Sequence, residues 1–296
     1  MALTKAEAAK LSNDLLVAGV IETIVKESQL LAFLPFMEVS GTAIRYNREA
    51  TMPAAAFYDV GDTWTEATPT FTEVTTALKI LGGDADVDNF LAATYANVND
   101  IEAEIIASRA KAVAHKFSTA FFVGDSAVDT KSFDGIKKLT PVSQTISMGT
   151  NGASLTLDKL DELIDLVRPG KPDLLLMSKR TRRKLKGLRR GSGYVIESDV
   201  VQFGQRVDVY DGIPIVVDDF VPDDETEGSG TALSSIYAVK FGQGAGVMGL
   251  EHGGVVVEPV GELETKDATR HRIKWYTGLA LFSELGAARL KAIAAA

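Results

Sequence analysis

Three patterns in this 296-residue sequence have residue types and spacings that could do chemistry. Gly244-Ala-Gly246-Val-Met-Gly249 fits G-x-G-x-x-G, in which glycines let a backbone approach a dinucleotide's pyrophosphate at a helix N-terminus. That chemistry needs a helix after the glycines, and here the sequence continues as another strand with a Gly253-Gly254 turn. The plain reading is a glycine-rich connection between strands, which leaves an α/β nucleotide-binding enzyme as the alternative of another class. Asp84-x-Asp86-x-Asp88 opens like a calcium loop, but the sixth position is Asn89 and the twelfth is Tyr95, where a tight turn and a bidentate ligand would need Gly and Glu. It reads as a solvated turn leading toward a long helix. The three histidines, His115, His252 and His271, share no metal-ligand spacing and stand in no recognised catalytic motif.

Cysteine is absent, which excludes disulfides, thiolate metal sites and cysteine nucleophiles. No catalytic residue, metal or cofactor is expected. The remaining charged feature is a basic run: Lys179, Arg180, Arg182, Arg183, Lys184, Lys186, Arg189 and Arg190. A solvated helix face paired with acidic neighbours explains it most simply. The functional reading is electrostatic contact with nucleic-acid phosphate or with an acidic patch on an adjoining subunit. A net charge of −9 speaks against a dedicated nucleic-acid reader and leaves room for loose, sequence-independent contact.

The elements that must position these residues follow from periodicity. Residues 3–29 carry a mixed amphipathic pattern, Leu11, Leu15 and Ala18 beside Leu16, Val20 and Ile24, and predict a helical arm stopped at Pro35. From Ile44 to Leu81 the period becomes two, predicting a long two-stranded excursion with Phe57 and Trp64 near its tip. A lone ribbon is marginal in water. Its aromatic side chains, about 150–250 Å² each, are costly to leave wet, so another surface must cover them. Asn99 and Glu102 open a helix over 100–123 with Ile106, Ala110, Val113, Phe117 and either Ala120 or Phe121 inward, ended by Gly124.

An α/β stretch follows: a helix over Leu157–Val167, a strand at Asp173–Met177, and a basic helix capped by Ser178. Next come a hairpin turning at Asp211-Gly212, with Pro214 marking an edge strand, and a flexible acidic loop, VPDDETEGSG. A strand at Ile236–Phe241, a hairpin around Gly253-Gly254, a strand over Arg270–Phe282 and a short alanine-rich end complete the chain. With no apolar run near the roughly 18 residues of a membrane span and no secretory pattern at the start, no membrane partner is expected.

In this order the elements resemble the Hong Kong 97-like capsid fold of tailed-bacteriophage major capsid proteins and their encapsulin relatives. The resemblance spans essentially the whole chain. Its most telling stretch is VNDIEAEIIASRAKAVAHKFSTAFFVGDSAVDTKSFDGI, similar to the family's spine helix running into a Phe-x-x-Gly-Asp turn. TWTEATPTF, LTLDKLDELIDLV with LLMSKRTRRKL, and VYDGIPIVVDDFVP are also similar to family elements. The resemblance implies an α+β fold with an arm at 1–43, an extended β-hairpin loop at 44–82 and a peripheral domain with the spine helix at 83–135. An α/β apical domain at 136–249, return strands at 250–282 and a C-terminal segment at 283–296 complete it.

It also implies a structural role. Many copies would form hexamers and pentamers of an icosahedral shell around double-stranded phage DNA, assembled in the host cytoplasm and resident in the virion. Portal, scaffold and decoration proteins are the further partners, and an encapsulin-type cellular shell is the alternative. Phe57, Tyr58, Trp64, Glu66 and Phe71 would carry the loop's contact with a neighbouring subunit. Some members join subunits through a Lys–Asn isopeptide bond. Here Lys79, at the base, is the only Lys from 44 to 81, and no Asn follows Asn151, so a noncovalent shell is expected. With no long extension before the arm, assembly is expected to use a separate scaffold or none.

Overall fold

The computed structural model describes residues 28–95, 101–191, 197–200 and 206–294. The helical arm expected at 3–29 therefore lies almost wholly outside the described residues, as does the Asn99 cap.

Two sheets and a ribbon are built from strands β1 (Phe36–Glu38), β2 (Ala43–Thr51), β3 (Thr70–Ala77), β4 (Lys79–Asp88), β5 (Thr145–Ser147), β6 (Leu174–Met177) and β7 (Glu197–Val200). The series continues through β8 (Arg206–Tyr210), β9 (Ile213–Val217), β10 (Glu225–Glu227), β11 (Gly230–Val239), β12 (Val247–Glu262), β13 (Ala268–Leu281) and β14 (Ala287–Ile293). The longer helices are α1 (Asn89–Tyr95), α2 (Ile101–Val123), α3 (Leu157–Leu166) and α4 (Lys179–Gly191), beside single turns at Leu30–Phe33 and Ile136–Leu139.

The peripheral sheet has the order β1-β12-β13-β4. Helix α2, a rod of roughly 35 Å at 1.5 Å per residue, packs on it through Val113, Phe117, Ala120 and Phe121. Phe117 meets Trp275 of β13 at 4.7 Å between ring centroids and Phe36 of β1 at 5.8 Å. Gly124 ends the helix, its N–H donating to Ala120 O at 2.8 Å, and Gly135 returns so close that a Cβ would lie 2.8 Å from Phe121 O. The wet face predicted for α2 is interrupted at His115, whose ring packs 5.1 Å from that of Phe220.

The apical sheet runs β5-β14-β11-β6-β9-β8-β7, with β10 paired to β11. The unbroken apolar run Leu174–Met177 is a strand covered on both faces. Leu174 and Leu176 enter the core shared with α2, and Leu175 and Met177 enter the core under α3 and α4. Helix α3 starts where Thr156 Oγ1 accepts from Lys159 N (3.4 Å), and α4 where Ser178 Oγ accepts from Thr181 N (3.2 Å).

Several expectations are corrected. Asp84, Asp86 and Asp88 form no turn. They lie in β4, paired with β13 in register Asp84↔Arg272 and Asp86↔Arg270. Gly253-Gly254 does not reverse the chain: β12 continues to Glu262, and the two glycines, φ +71° and +68°, form a bulge between the His252↔Tyr276 and Val255↔Trp275 pairs. Pro214 marks no edge, because β9 lies between β6 and β8. It is tolerated because it stands opposite Val209 and pairing with β6 begins one residue later, at Ile215. The acidic loop contains β10 and holds Glu225 in a salt bridge with Arg289 at 2.8 Å. The alanine-rich end is β14, a buried strand inside the apical sheet, paired with β5 on one side and β11 on the other. Finally, the alternating run through Ile80 is divided at Leu78, where the chain leaves the ribbon for the peripheral sheet.

Candidate subunit interface

The ribbon is β2 against β3, from Ala43↔Ala77 to Thr51↔Thr70. Its base is fastened to the end of β13. Tyr46 Oη donates to Leu281 O at 2.8 Å, and its ring packs 4.7 Å from that of Phe282. Arg48 donates from Nε to Phe282 O at 3.0 Å, pairs with Glu284 at 2.7 Å and reaches Leu281 O as well. Side chains at alternate positions, 46 and 48, are thus spent on one face to fix the ribbon's direction.

The tip has no such cover. Phe57 is fully exposed, and Trp64 (78%), Phe71 (64%), Met52 (79%) and Val60 are largely so. The loop is nonetheless shaped. Gly61 (φ +96°) permits a turn in which Asp59 N donates to Asp62 Oδ2 at 2.7 Å and Asp62 N to Asp59 O at 3.1 Å. Tyr58 stacks on Trp64 at 4.4 Å and 19°, and Thr65 N donates to its hydroxyl at 3.1 Å. Glu66 is exposed. The five contact residues expected from sequence are therefore brought to one solvent-facing end of the ribbon.

Helix α4 buries Thr181 and Leu185 and divides its cations into two sets. Lys179 pairs with Asp219 (2.8 Å), Lys186 with Asp208 (2.7 Å), Arg180 with Asp223 (3.4 Å) and Arg182 with Asp208 (4.0 Å). Arg189 Nη1 donates to Val209 O at 2.8 Å, its guanidinium 5.4 Å from the Tyr210 ring centroid. For these residues the helix is a face paired with its own acids. Arg183, Lys184 and Arg190 have no carboxylate partner among the described residues.

Three buried polar clusters escaped the sequence reading. Arg270 grips Asp86 with two hydrogen bonds, 2.6 and 2.9 Å, and holds its carboxyl well below the usual range; Lys266 adds a contact at 2.7 Å. Burial alone would raise the pKa of Glu225, but hydrogen bonds from Lys137 and Ser235 and the charge of Arg289 outweigh it and leave the group lowered. Asp218 is fully buried with no cation partner among the described residues, and burial pushes its carboxyl above the usual range. It accepts from Ser28 Oγ (2.6 Å) and Phe220 N (2.8 Å), while Ser118 Oγ donates to Ser28 Oγ (3.0 Å), tying the chain entering the fold to α2 and to the end of β9. A signal existed for the first cluster alone: D-x-D-x-D and R-x-R both have strand period, so they can face each other on adjacent strands.

The glycine-rich segment leads into β12 rather than a helix, and a Cβ on Gly249 would meet the Phe36 ring. Among the described residues no three His, Asp or Glu side chains are grouped to hold a metal ion, and no helix is long and apolar enough to cross a membrane. His252 Nδ1 donates to Val39 O (3.0 Å), and His271 Nε2 lies 2.9 Å from a Glu102 oxygen.

A spine helix across a peripheral sheet, an apical α/β sheet and a clasped ribbon with a bare tip define a shell-building subunit with the Hong Kong 97-like α+β fold. The model of the phage capsid family matches residues 11–291, and the chain belongs to that family. It is a structural capsid protein, not an enzyme. The fold is shared with a Synechococcus elongatus PCC 7942 encapsulin in the holo-SrpI complex, at TM-score 0.76 and 19% identity over 100% of this chain and 97% of that one. It is also similar to the capsid of an empty GTA particle (TM-score 0.73, 16% identity, 98% of each chain) and to a Microbacterium phage Oxtober96 chain (TM-score 0.69, 17% identity, 98% of each chain). None of the curated proteins matches this chain in sequence.

Proposed function

We propose that this capsid subunit closes into hexamers and pentamers of an icosahedral shell that encloses double-stranded phage DNA and is held together without covalent links. The observation that carries the reading is the ribbon: Tyr46 and Arg48 fix its base, and Phe57, Tyr58, Trp64, Glu66 and Phe71 are presented outward. A neighbouring subunit under those residues would remove on the order of 150–250 Å² of apolar surface from water per aromatic ring. The noncovalent reading is supported by the place of Lys79, at the ribbon base, with its ammonium donating to Thr130 O at 2.8 Å.

Arg183, Lys184 and Arg190 are the cations best placed for loose contact with DNA phosphate, since no acid among the described residues occupies them. The particle would be assembled in the host cytoplasm, with portal, scaffold and decoration proteins as partners, and would reside in the virion. Negative-stain microscopy of the recombinant chain should show uniform shells or capsomer rings, and particles boiled in denaturant should run as monomers. A chain that stays a compact monomer with catalytic turnover would sink the shell role; a ladder of protein-only multimers would sink the noncovalent one.

The likeness to the Synechococcus encapsulin supports a second reading, a cellular shell that loads proteins. The contents of native particles separate the two. Nuclease-protected DNA favours the capsid, and a co-purifying cargo protein without DNA favours the encapsulin-type shell.

A further inference from the structure

Helix α4 carries more positive charge than the acids around it use, and the surplus gathers over one bare stretch of its surface. A hollow of about 240 Å³ is lined by Arg180, Arg183, Lys184, Gly187 and Leu188, whose spacing by three and four puts them on one helix face. Among the described residues no carboxylate lines it, and Arg183 and Lys184 pair with no acid. Arg180 is only half served. Asp223 Oδ1 stands 3.4 Å from Arg180 Nη2 and already accepts from Ser178 Oγ at 2.7 Å. That nitrogen is buried and makes no hydrogen bond among the described residues. A buried donor without an acceptor is costly, and like charges held together repel, so the face favours an acceptor that carries negative charge.

Gly187 is an independent sign. It stands in the interior of α4, where glycine weakens a helix relative to alanine. No described residue crowds it: a Cβ there would meet no atom within 4 Å. The missing side chain leaves the floor of the hollow open to the helix backbone.

We propose that this hollow is a binding site for a phosphate group, held by Arg180, Arg183 and Lys184 over Gly187. The class follows from chemistry and size. Planar guanidinium donors match phosphate oxygens two at a time, and an ammonium adds a point charge. The hollow lies below the roughly 300 Å³ at which pockets begin to take larger organic ligands, so a phosphate or pyrophosphate fills it. The group comes from a free anion or from a nucleic-acid backbone, and the recognition is the same. The site is narrower than the loose contact proposed above, because it takes in Arg180 and leaves out Arg190, and it does not depend on the shell role.

The other hollows do not compete. The groove along Asp219, Asp223 and Asp224 repels an anion. The groove beside the ribbon base holds Arg48, but Glu284 and two backbone carbonyls occupy that guanidinium, and Glu49 lines it too. The hollow at Leu78, Ile80 and Tyr276 has a single ammonium, that of Lys79.

The test is calorimetric titration of the full-length, dissociated subunit with inorganic pyrophosphate at about 0.1 M salt, where charges more than about 10 Å apart are screened. One saturable site per chain is expected. Arg183→Gln/Lys184→Gln should weaken it by about tenfold or more, through the loss of two charge-assisted contacts. Gly187→Ala keeps every charge, favours the helix and puts a methyl group in the hollow. Its circular dichroism should hold while its affinity falls several-fold. Arg190→Gln removes a charge outside the hollow and should change affinity by less than about twofold. A short DNA duplex added as competitor separates the sources: displacement of pyrophosphate identifies a backbone phosphate, and no displacement a free anion. Pyrophosphate that does not saturate at millimolar concentration, or that binds the wild type and Gly187→Ala alike, overturns the site. So does an equal loss in Arg190→Gln and in Arg183→Gln/Lys184→Gln, the signature of diffuse charge. A duplex that still binds in those cases leaves the loose DNA contact standing.

Discussion

The apical sheet and the ribbon are both β-structure with an alternating or apolar pattern, and they solve the same burial problem in opposite ways. In the apical sheet the central strands find cover within the chain. Leu174 and Leu176 face α2, Leu175 and Met177 face α3 and α4, and even the alanine-rich β14 is sealed between strands. In the ribbon only the base finds cover, through Tyr46 and Arg48, and exposure rises toward Phe57. One region is covered within the chain, and the other is left, in the proposed function, for another copy to cover. The difference separates substitutions that unfold the subunit from substitutions that leave it folded and unable to assemble.

The largest effect should fall in the interior. Phe117→Ala empties the ring from a cluster with Phe36, Phe133 and Trp275 and should cost about 3–5 kcal/mol in urea unfolding of the dissociated subunit. Next comes Asp86→Asn, which removes the charge facing Lys266 and leaves Arg270 with Asp84 at 3.4 Å, and should cost about 1.5–3 kcal/mol at neutral pH. Its pH dependence has a definite sign. The folded pKa of Asp86 is depressed, so its stabilisation is complete above the ordinary carboxylate value of about 4 and is lost as pH falls below that toward the lower folded value. Denaturant titrations should therefore show an acid-side loss of stability in the wild type that Asp86→Asn flattens.

Arg48→Ala removes the clamp at the ribbon base and should cost about 1 kcal/mol, while limited proteolysis should find the segment 49–70 cut faster. The smallest stability change belongs to the tip. Trp64→Ala should shift unfolding by less than about 0.5 kcal/mol, as for other exposed sites, yet reduce assembly more than any of the others does per unit of stability lost. An apical substitution that abolished assembly with no loss of stability, or a tip substitution that unfolded the subunit, would erase the distinction between the two regions.

The order of elements was legible because local signals carry it. The two strands of the period-two excursion, as far as the break at Leu78, the helix ending at Gly124 and the Asp211-Gly212 hairpin all appear where spacing places them. What could not be read depends on partners far along the chain. Asp84 and Asp86 look like a loop until Arg270 and Arg272 stand opposite, more than 180 residues later. Gly253-Gly254 has the sequence of a turn and the structure of a bulge, because β13 pairs on both sides of it. Glu225 reads as part of a solvated loop until Arg289 and Lys137 close on it. The candidate interface was legible at its tip, since bare aromatics flanked by Gly and Pro announce themselves. The anchoring role of Tyr46 and Arg48 was not, because their acceptors are backbone carbonyls at the far end of β13.

The central claim, that the ribbon tip joins subunits and contributes little to the fold of any one of them, is tested most directly by sedimentation velocity of the wild type beside a Phe57→Ala/Trp64→Ala chain. The account predicts particles or capsomers for the wild type. It predicts a folded, slowly sedimenting subunit with unchanged circular dichroism for the variant. A variant that forms the same particles at the same protein concentration would contradict it.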